Sequence, residues 1–106
     1  MMSKKIMLAC SAGMSTSLLV TKMQKAAEKD GTDVTIFATA AADAENKLDQ
    51  EHPDVLMLGP QVKYMLDDFK SKLDIPVAVI NMRDYGMMDG EKVLQSALAV
   101  IDAQKA

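Results

Sequence analysis

The sequence predicts an α/β fold: a single three-layer, doubly wound domain over residues 1–106, with a four-stranded parallel sheet of order 2-1-3-4 between helices. Three observations carry this. The runs at 6–9, 55–58 and 77–80 are continuously apolar, without the polar alternation of a half-solvated strand, so both of their faces are covered. Each apolar run is followed by a stretch whose large apolar residues recur at helical spacing. The links are short, with no repeat, linker or low-complexity tail, and 106 residues of which 49% are apolar bury one core and not two.

Residues 4–9 form the first strand, and Ser15 opens a helix whose Leu19, Met23, Ala26 and Ala27 share a face until Gly31 stops it. The β-branched segment Val34-Thr35-Ile36-Phe37 is the second strand; shorter and more polar than the others, it suits a sheet edge. An alanine-rich surface helix is expected over 41–50. Pro53-Asp54 breaks the chain before Val55-Leu56-Met57-Leu58, a central strand that Gly59-Pro60 ends. Pro60 suits the first turn of the next helix, whose inner face carries Val62, Met65, Leu66, Phe69 and Leu73. After the fourth strand, 81–88 reads as a loop, long for a βα connection. Asp89 then caps a last helix with Val93, Leu94, Ala97, Leu98 and Ile101 on its buried stripe. In such a sheet the segments 10–16, 38–42, 59–61 and 81–88 gather at the carboxyl edge, where ligands of open α/β sheets bind.

Composition excludes several function classes. The net charge is -3 and the lysines and arginine are scattered, which argues against a nucleic-acid partner. No apolar run approaches the roughly 20 residues that cross a bilayer, and the apolar segment after Lys5 is too short for a signal peptide, so a cytoplasmic protein without membrane insertion is expected. The single cysteine permits neither an internal disulfide nor a dithiol redox cycle. With one histidine, one cysteine and no clustered carboxylates, no metal or cofactor is expected. His52, just before a strand start, falls at the edge opposite the cysteine and reads as a surface residue. A monomer is expected.

The chemistry concentrates where the first strand ends. Cys10 is followed by Ser11, Ala12, Gly13, Met14, Ser15, Thr16 and Ser17, a strand-turn-helix passage of small and hydroxyl residues. Its successive N–H groups and the helix start can surround a tetrahedral dianion, and Gly13 permits the tight turn. The same field favours thiolate, making Cys10 the expected nucleophile. Ser15, Thr16 and Ser17 offer hydroxyl donors, one of them spent on capping. The loop lacks the glycines and lysine of a nucleotide-binding P-loop and the dinucleotide fingerprint. It resembles the loop of the low-molecular-weight tyrosine phosphatases, and the expected fold resembles theirs, but their arginine, six residues beyond the cysteine, is Thr16 here. Without that guanidinium, ester hydrolysis loses its main electrostatic support, which points to a site that accepts and passes on a phosphoryl group. A small cysteine-dependent phosphatase or arsenate reductase and a non-catalytic adaptor are the competing readings. Gln61 and Tyr85 are candidate pocket-edge residues. Arg83 either counters the dianion or, the favoured reading, pairs with Asp84 or a partner carboxylate; Asp84 and Asp89 serve solvation or capping.

Over essentially its whole length the chain resembles the IIB components of the bacterial phosphoenolpyruvate-dependent sugar phosphotransferase system, of the lactose/cellobiose (chitobiose) family. Cys10-Ser11-Ala12-Gly13-Met14-Ser15-Thr16-Ser17 matches the phosphorylation loop, and Leu58-Gly59-Pro60-Gln61 matches the segment after the third strand. The resemblance implies that Cys10 is phosphorylated by a phosphohistidine on a IIA protein. It implies onward transfer to a sugar, such as the β-linked disaccharides cellobiose or chitobiose, held by a membrane IIC protein. Met14, Tyr64 or Met65, and the Met87-Met88 pair are expected apolar contacts for these partners.

Overall fold

The computed structural model describes residues 4–11 and 14–105, with the side chains of Met14, Ser15, Gln104 and Lys105 left aside. Four strands, β1 (Lys4–Cys10), β2 (Val34–Ala40), β3 (Val55–Leu58) and β4 (Val77–Val79), form one sheet of order β2-β1-β3-β4, parallel throughout. Five helices accompany them: α1 (Met14–Asp30), α2 (Ala44–Glu51), α3 (Leu66–Lys72), α4 (Met82–Gly86) and α5 (Gly90–Lys105).

The continuous apolar strands are buried on both sides, as their lack of alternation requires. On one face Ile6, Leu8, Ile36, Val55 and Met57 pack with Leu19 and Met23 of α1, Tyr85 of α4 and Val93, Leu94, Ala97 and Ile101 of α5. On the other, Met7, Ala9, Leu56, Leu58 and Val77 pack with Ala44 and Leu48 of α2 and with Val62 and Phe69. Odd and even strand residues thus feed two separate half-cores, the period-2 consequence of the pleat. On the α1–α5 face two glycines set the geometry. Gly90 brings α5 against α1 so closely that a Cβ there would stand 2.5 Å from the Lys22 carbonyl carbon. Gly31, at φ +70°, closes α1: its N–H donates to Glu28 O at 3.2 Å, and Thr32 N–H donates to Ala27 O at 2.9 Å.

Several element boundaries differ from the sequence reading. The second strand lies at the sheet edge as expected but is not short: it extends to Ala40, because residues 38–40 pair with Leu8, Ala9 and Cys10. The alanine-rich helix begins as a 3-10 turn over Ala41–Asp43 and becomes α-helical only at Ala44. Pro60 opens a 3-10 segment, Pro60–Met65, in which Val62 leaves helical geometry (φ -119°, ψ 24°), so α3 starts at Leu66. The expected loop 81–88 contains α4, capped by Asn81, whose Oδ1 accepts from the N–H groups of Arg83 (2.9 Å) and Asp84 (3.2 Å). Asp89 caps α5 as expected, accepting from Lys92 N–H at 3.1 Å.

Candidate functional site

Cys10 is the last residue of β1, at the carboxyl edge of the sheet between Ala40 of β2 and the turn after β3. By alternation it shares the face of Ile6 and Leu8, the face covered by α1, α4 and α5. The residue is only 4% exposed, more enclosed than a nucleophile at the lip of the loop. Part of the reason is Gly59. Its N–H donates to Ala9 O at 2.8 Å, continuing the β1–β3 register, and a Cβ built on it would lie 3.3 Å from Cys10 Cβ and 3.1 Å from Gln61 Oε1. The glycine is needed here for close approach, since its backbone (φ -63°, ψ 152°) is ordinary. The Gly59-Pro60 turn that ends β3 thus presses its backbone against the cysteine and folds Gln61 back over itself, placing the Gln61 amide oxygen on the Cys10 side of the turn. Gln61 is exposed, so its outer end remains in water.

Of the loop itself, Ser11 is an exposed bend, while Ala12 and Gly13, expected phosphoryl-binding residues, lie outside the described residues. So do the side chains of Met14 and Ser15. The helix begins at Met14, one residue before the expected Ser15. Its first-turn N–H groups have no intrahelical acceptor and lie in the segment that follows Cys10. Ser17 is exposed and its carbonyl accepts from Thr21 Oγ1 at 3.1 Å. Thr16 behaves differently from its hydroxyl neighbours. It is 1% exposed, and its Oγ1 lies 3.3 Å from the hydroxyl of Tyr85, itself 8% exposed. Tyr85 reaches this position because α4 turns the chain back over the sheet: its N–H donates to Asn81 O at 2.9 Å.

The remaining candidates are not drawn in. Arg83 is exposed on α4, and among the described residues it makes no ion pair with Asp84 or any other carboxylate. The reason is the helix: Asn81 takes the Arg83 and Asp84 N–H groups and sets neighbouring side chains at divergent angles. Met88 does not join Met87 at the surface. It has φ 53° and packs against the core, whereas Met87 is 66% exposed. Tyr64 is 78% exposed while Met65 packs inward. His52, in the left-handed conformation at the end of α2, lies at the amino edge, opposite Cys10. Sequence reasoning missed Asn81, which carried a usable signal, a capping residue directly after a strand. It brought segment 59–61 to the edge that holds Cys10, but not the direct contact of Gly59, which depends on how level β1 and β3 end.

Residues 5–96 match the family model described as "PTS system, Lactose/Cellobiose specific IIB subunit". The chain belongs to this family. Relatives of this IIB subunit include the "PTS system galactose-specific EIIB component" and the "PTS system cellobiose-specific EIIB component" of two Lactococcus lactis strains. Each is 54% identical over 103 residues, covering 92% of this chain and 95% of the relative. The "PTS system oligo-beta-mannoside-specific EIIB component" of Bacillus subtilis is 43% identical over 101 residues, 92% and 96% of the two chains. The solution structure of a cellobiose-specific phosphotransferase IIB component from Borrelia burgdorferi is similar with a TM-score of 0.78 at 39% identity, covering 95% of this chain and 94% of that one. The lactose-specific IIB domain from Streptococcus pneumoniae, at 19% identity, shares the fold with a TM-score of 0.76 over 92% and 97% of the chains. Among the described residues no helix of this IIB subunit is long and apolar enough to cross a membrane.

Proposed function

We propose that this IIB subunit is a single-domain, monomeric cytoplasmic phosphoryl carrier, residues 1–106, that relays a phosphoryl group through Cys10. The Cys10 thiolate attacks the phosphorus of a phosphohistidine on a IIA protein; the S–P bond forms as the P–N bond breaks, and the bonding pair returns to the imidazole. A sugar hydroxyl held by the membrane IIC protein then attacks phosphorus, the S–P bond breaks, the thiolate is restored, and the hydroxyl proton passes to a base on the carrier side. N–H groups of residues 12–17 hold the equatorial oxygens, and Ser11, Ala12, Gly13, Met14, Ser15, Thr16 and Ser17 form the cradle.

The observation that carries this reading is the placement of the only cysteine at the carboxyl end of a central parallel strand, directly before the start of α1. The position six residues beyond it is Thr16, packed against Tyr85, so no arginine clamps the phosphoryl group for hydrolysis. The relatives' names include cellobiose and oligo-beta-mannoside, which supports a β-linked disaccharide such as cellobiose or chitobiose as the final acceptor; the galactose-specific relative matches the cellobiose-specific one in identity, at 54%. Membrane vesicles carrying the IIC protein, supplied with labelled sugar, phosphoenolpyruvate, the general phosphotransferase proteins and IIA, test the reading. Sugar phosphate forms with the wild-type chain and not with Cys10→Ser, and cellobiose or chitobiose is preferred over galactose. Equal sugar phosphate with Cys10→Ser overturns it.

A further inference from the structure

We propose that Tyr85 is a positioning residue for phosphoryl transfer: its buried hydroxyl donates to Thr16 Oγ1 and thereby turns the Thr16 hydroxyl proton toward the anion carried on Cys10. The inference rests on the relay through Cys10 proposed above.

Thr16 is the one buried polar side chain among the described residues, and burying a hydroxyl requires a partner. Its partner is the Tyr85 hydroxyl at 3.3 Å, itself buried. Two hydroxyls in contact share one hydrogen bond and leave one proton over. A phenol is the stronger donor and an aliphatic hydroxyl oxygen the better acceptor, which assigns the shared proton to Tyr85 and leaves the Thr16 proton to find another acceptor. The acceptor we assign to it is the phosphoryl group on Cys10. By alternation Cys10 shares with Leu8 the face against which Tyr85 packs, and Thr16 stands in the first turn of α1, whose start follows Cys10 by only a few residues. A hydroxyl that accepts from a phenol is also polarised as a donor, so the chain Tyr85 to Thr16 to phosphoryl oxygen strengthens as negative charge builds. The arrangement further explains α4. Capped by Asn81 and joined to α5 by Met88 at φ 53°, this short helix sets the Tyr85 ring among buried residues with its hydroxyl against α1.

The test uses the full chain as wild type, Tyr85→Phe, Thr16→Val, Thr16→Ser and the Tyr85→Phe/Thr16→Val double variant, phosphorylated by phosphoenolpyruvate, the general proteins and IIA. Tyr85→Phe keeps the ring and its packing. It is expected to lower kcat for acceptance about tenfold with KM for IIA unchanged, because the Thr16 hydroxyl that donates to the charged group loses the hydrogen bond that orients it. It is also expected to raise the pH at which the phosphocysteine ³¹P signal titrates, because a donor to the dianion has been weakened. Thr16→Ser retains most of the transfer rate, and Tyr85→Phe has no further effect once Thr16 is Val. Wild-type kcat and an unmoved ³¹P titration in Tyr85→Phe overturn the proposal, as does an equal loss in the Thr16→Val background. A rise in KM alone assigns Tyr85 to docking and overturns it too. A wild-type chain that takes up no phosphoryl group on Cys10 overturns the relay itself, an outcome distinct from all of these.

Discussion

Gly59 and Cys10 meet because two neighbouring parallel strands end level with one another, and the contact leaves no room for a methyl group. Gly59→Ala places a Cβ 3.3 Å from Cys10 Cβ and 3.1 Å from Gln61 Oε1, distances at which a neighbour must yield. Gln61 is exposed and its end is free to swing out, so the expected cost in stability is small, about 1 kcal/mol or less. Transfer is more sensitive, since displacing a nucleophile by a fraction of an ångström misaligns an in-line attack, and Gly59→Ala is expected to reduce the acceptance rate about tenfold or more. Single-turnover kinetics beside urea denaturation separates the two effects; a stability loss with full transfer contradicts this account of Gly59. Cys10 itself was legible in the sequence as a lone thiol before a run of small residues. Its enclosure and the Thr16–Tyr85 contact were not, because the first depends on the close approach of Gly59 and the second on α4, which folds back within a segment that reads as a loop.

Among the elements, the crossing of α1 and α5 depends most on one residue. A Cβ at Gly90 meets three atoms of Lys22 and Met23 at 2.5–2.7 Å, two of them backbone, which no rotamer change relieves. Alanine gains up to about 1 kcal/mol in helix propensity, but the overpacking outweighs it, so Gly90→Ala is expected to destabilise by about 1–3 kcal/mol, measured from the urea midpoint. An unchanged midpoint contradicts the packing described. On the other face α2 and α3 are tied by Lys72, which bonds Glu45 at 3.0 Å and Asp68 at 3.2 Å. Its pKa is raised above 10.5, first by the hydrogen bond to Glu45 and then by that to Asp68. Because the ammonium gains these partners on folding, its contribution is complete below 10.5 and is lost as pH rises through the raised folded value. The difference in denaturation midpoint between wild type and Lys72→Met should therefore shrink above 10.5, and at high salt as well. A difference independent of pH contradicts it. Helical periodicity made α1 and α5 legible almost to the residue. The interval 60–65 was not, since its apolar spacing fits a helix while Val62 departs from helical geometry at the turn that serves Gly59 and Cys10.

Among the described residues, the large apolar side chains left in solvent fall on segments that follow the carboxyl ends of strands: Leu18 in α1, Tyr64 after β3, and Met82 and Met87 after β4. The sequence offered Tyr64 or Met65 and the Met87-Met88 pair, of which Tyr64 and Met87 are exposed while Met65 and Met88 pack inward; Met82 was not distinguishable from core methionine until α4 was seen. Under the proposed relay this rim meets two proteins in turn, and methionine suits a surface that adapts to both. The double variant Met82→Ser/Met87→Ser is expected to keep the wild-type denaturation midpoint while raising KM for IIA several-fold at unchanged kcat, and an unaltered KM removes this rim from the donor interface. The topology was legible because continuous apolar strands and interleaved helical stripes leave few alternatives. The relay requires the phosphoryl group to reside on Cys10. Mass spectrometry of the intact protein after incubation with phosphoenolpyruvate, the general phosphotransferase proteins and IIA tests it most directly. A single phosphoryl group is expected, mapped to Cys10 and absent in a folded Cys10→Ser variant; the same gain in Cys10→Ser, or a phosphoryl group mapped to another residue, rules out the relay through Cys10.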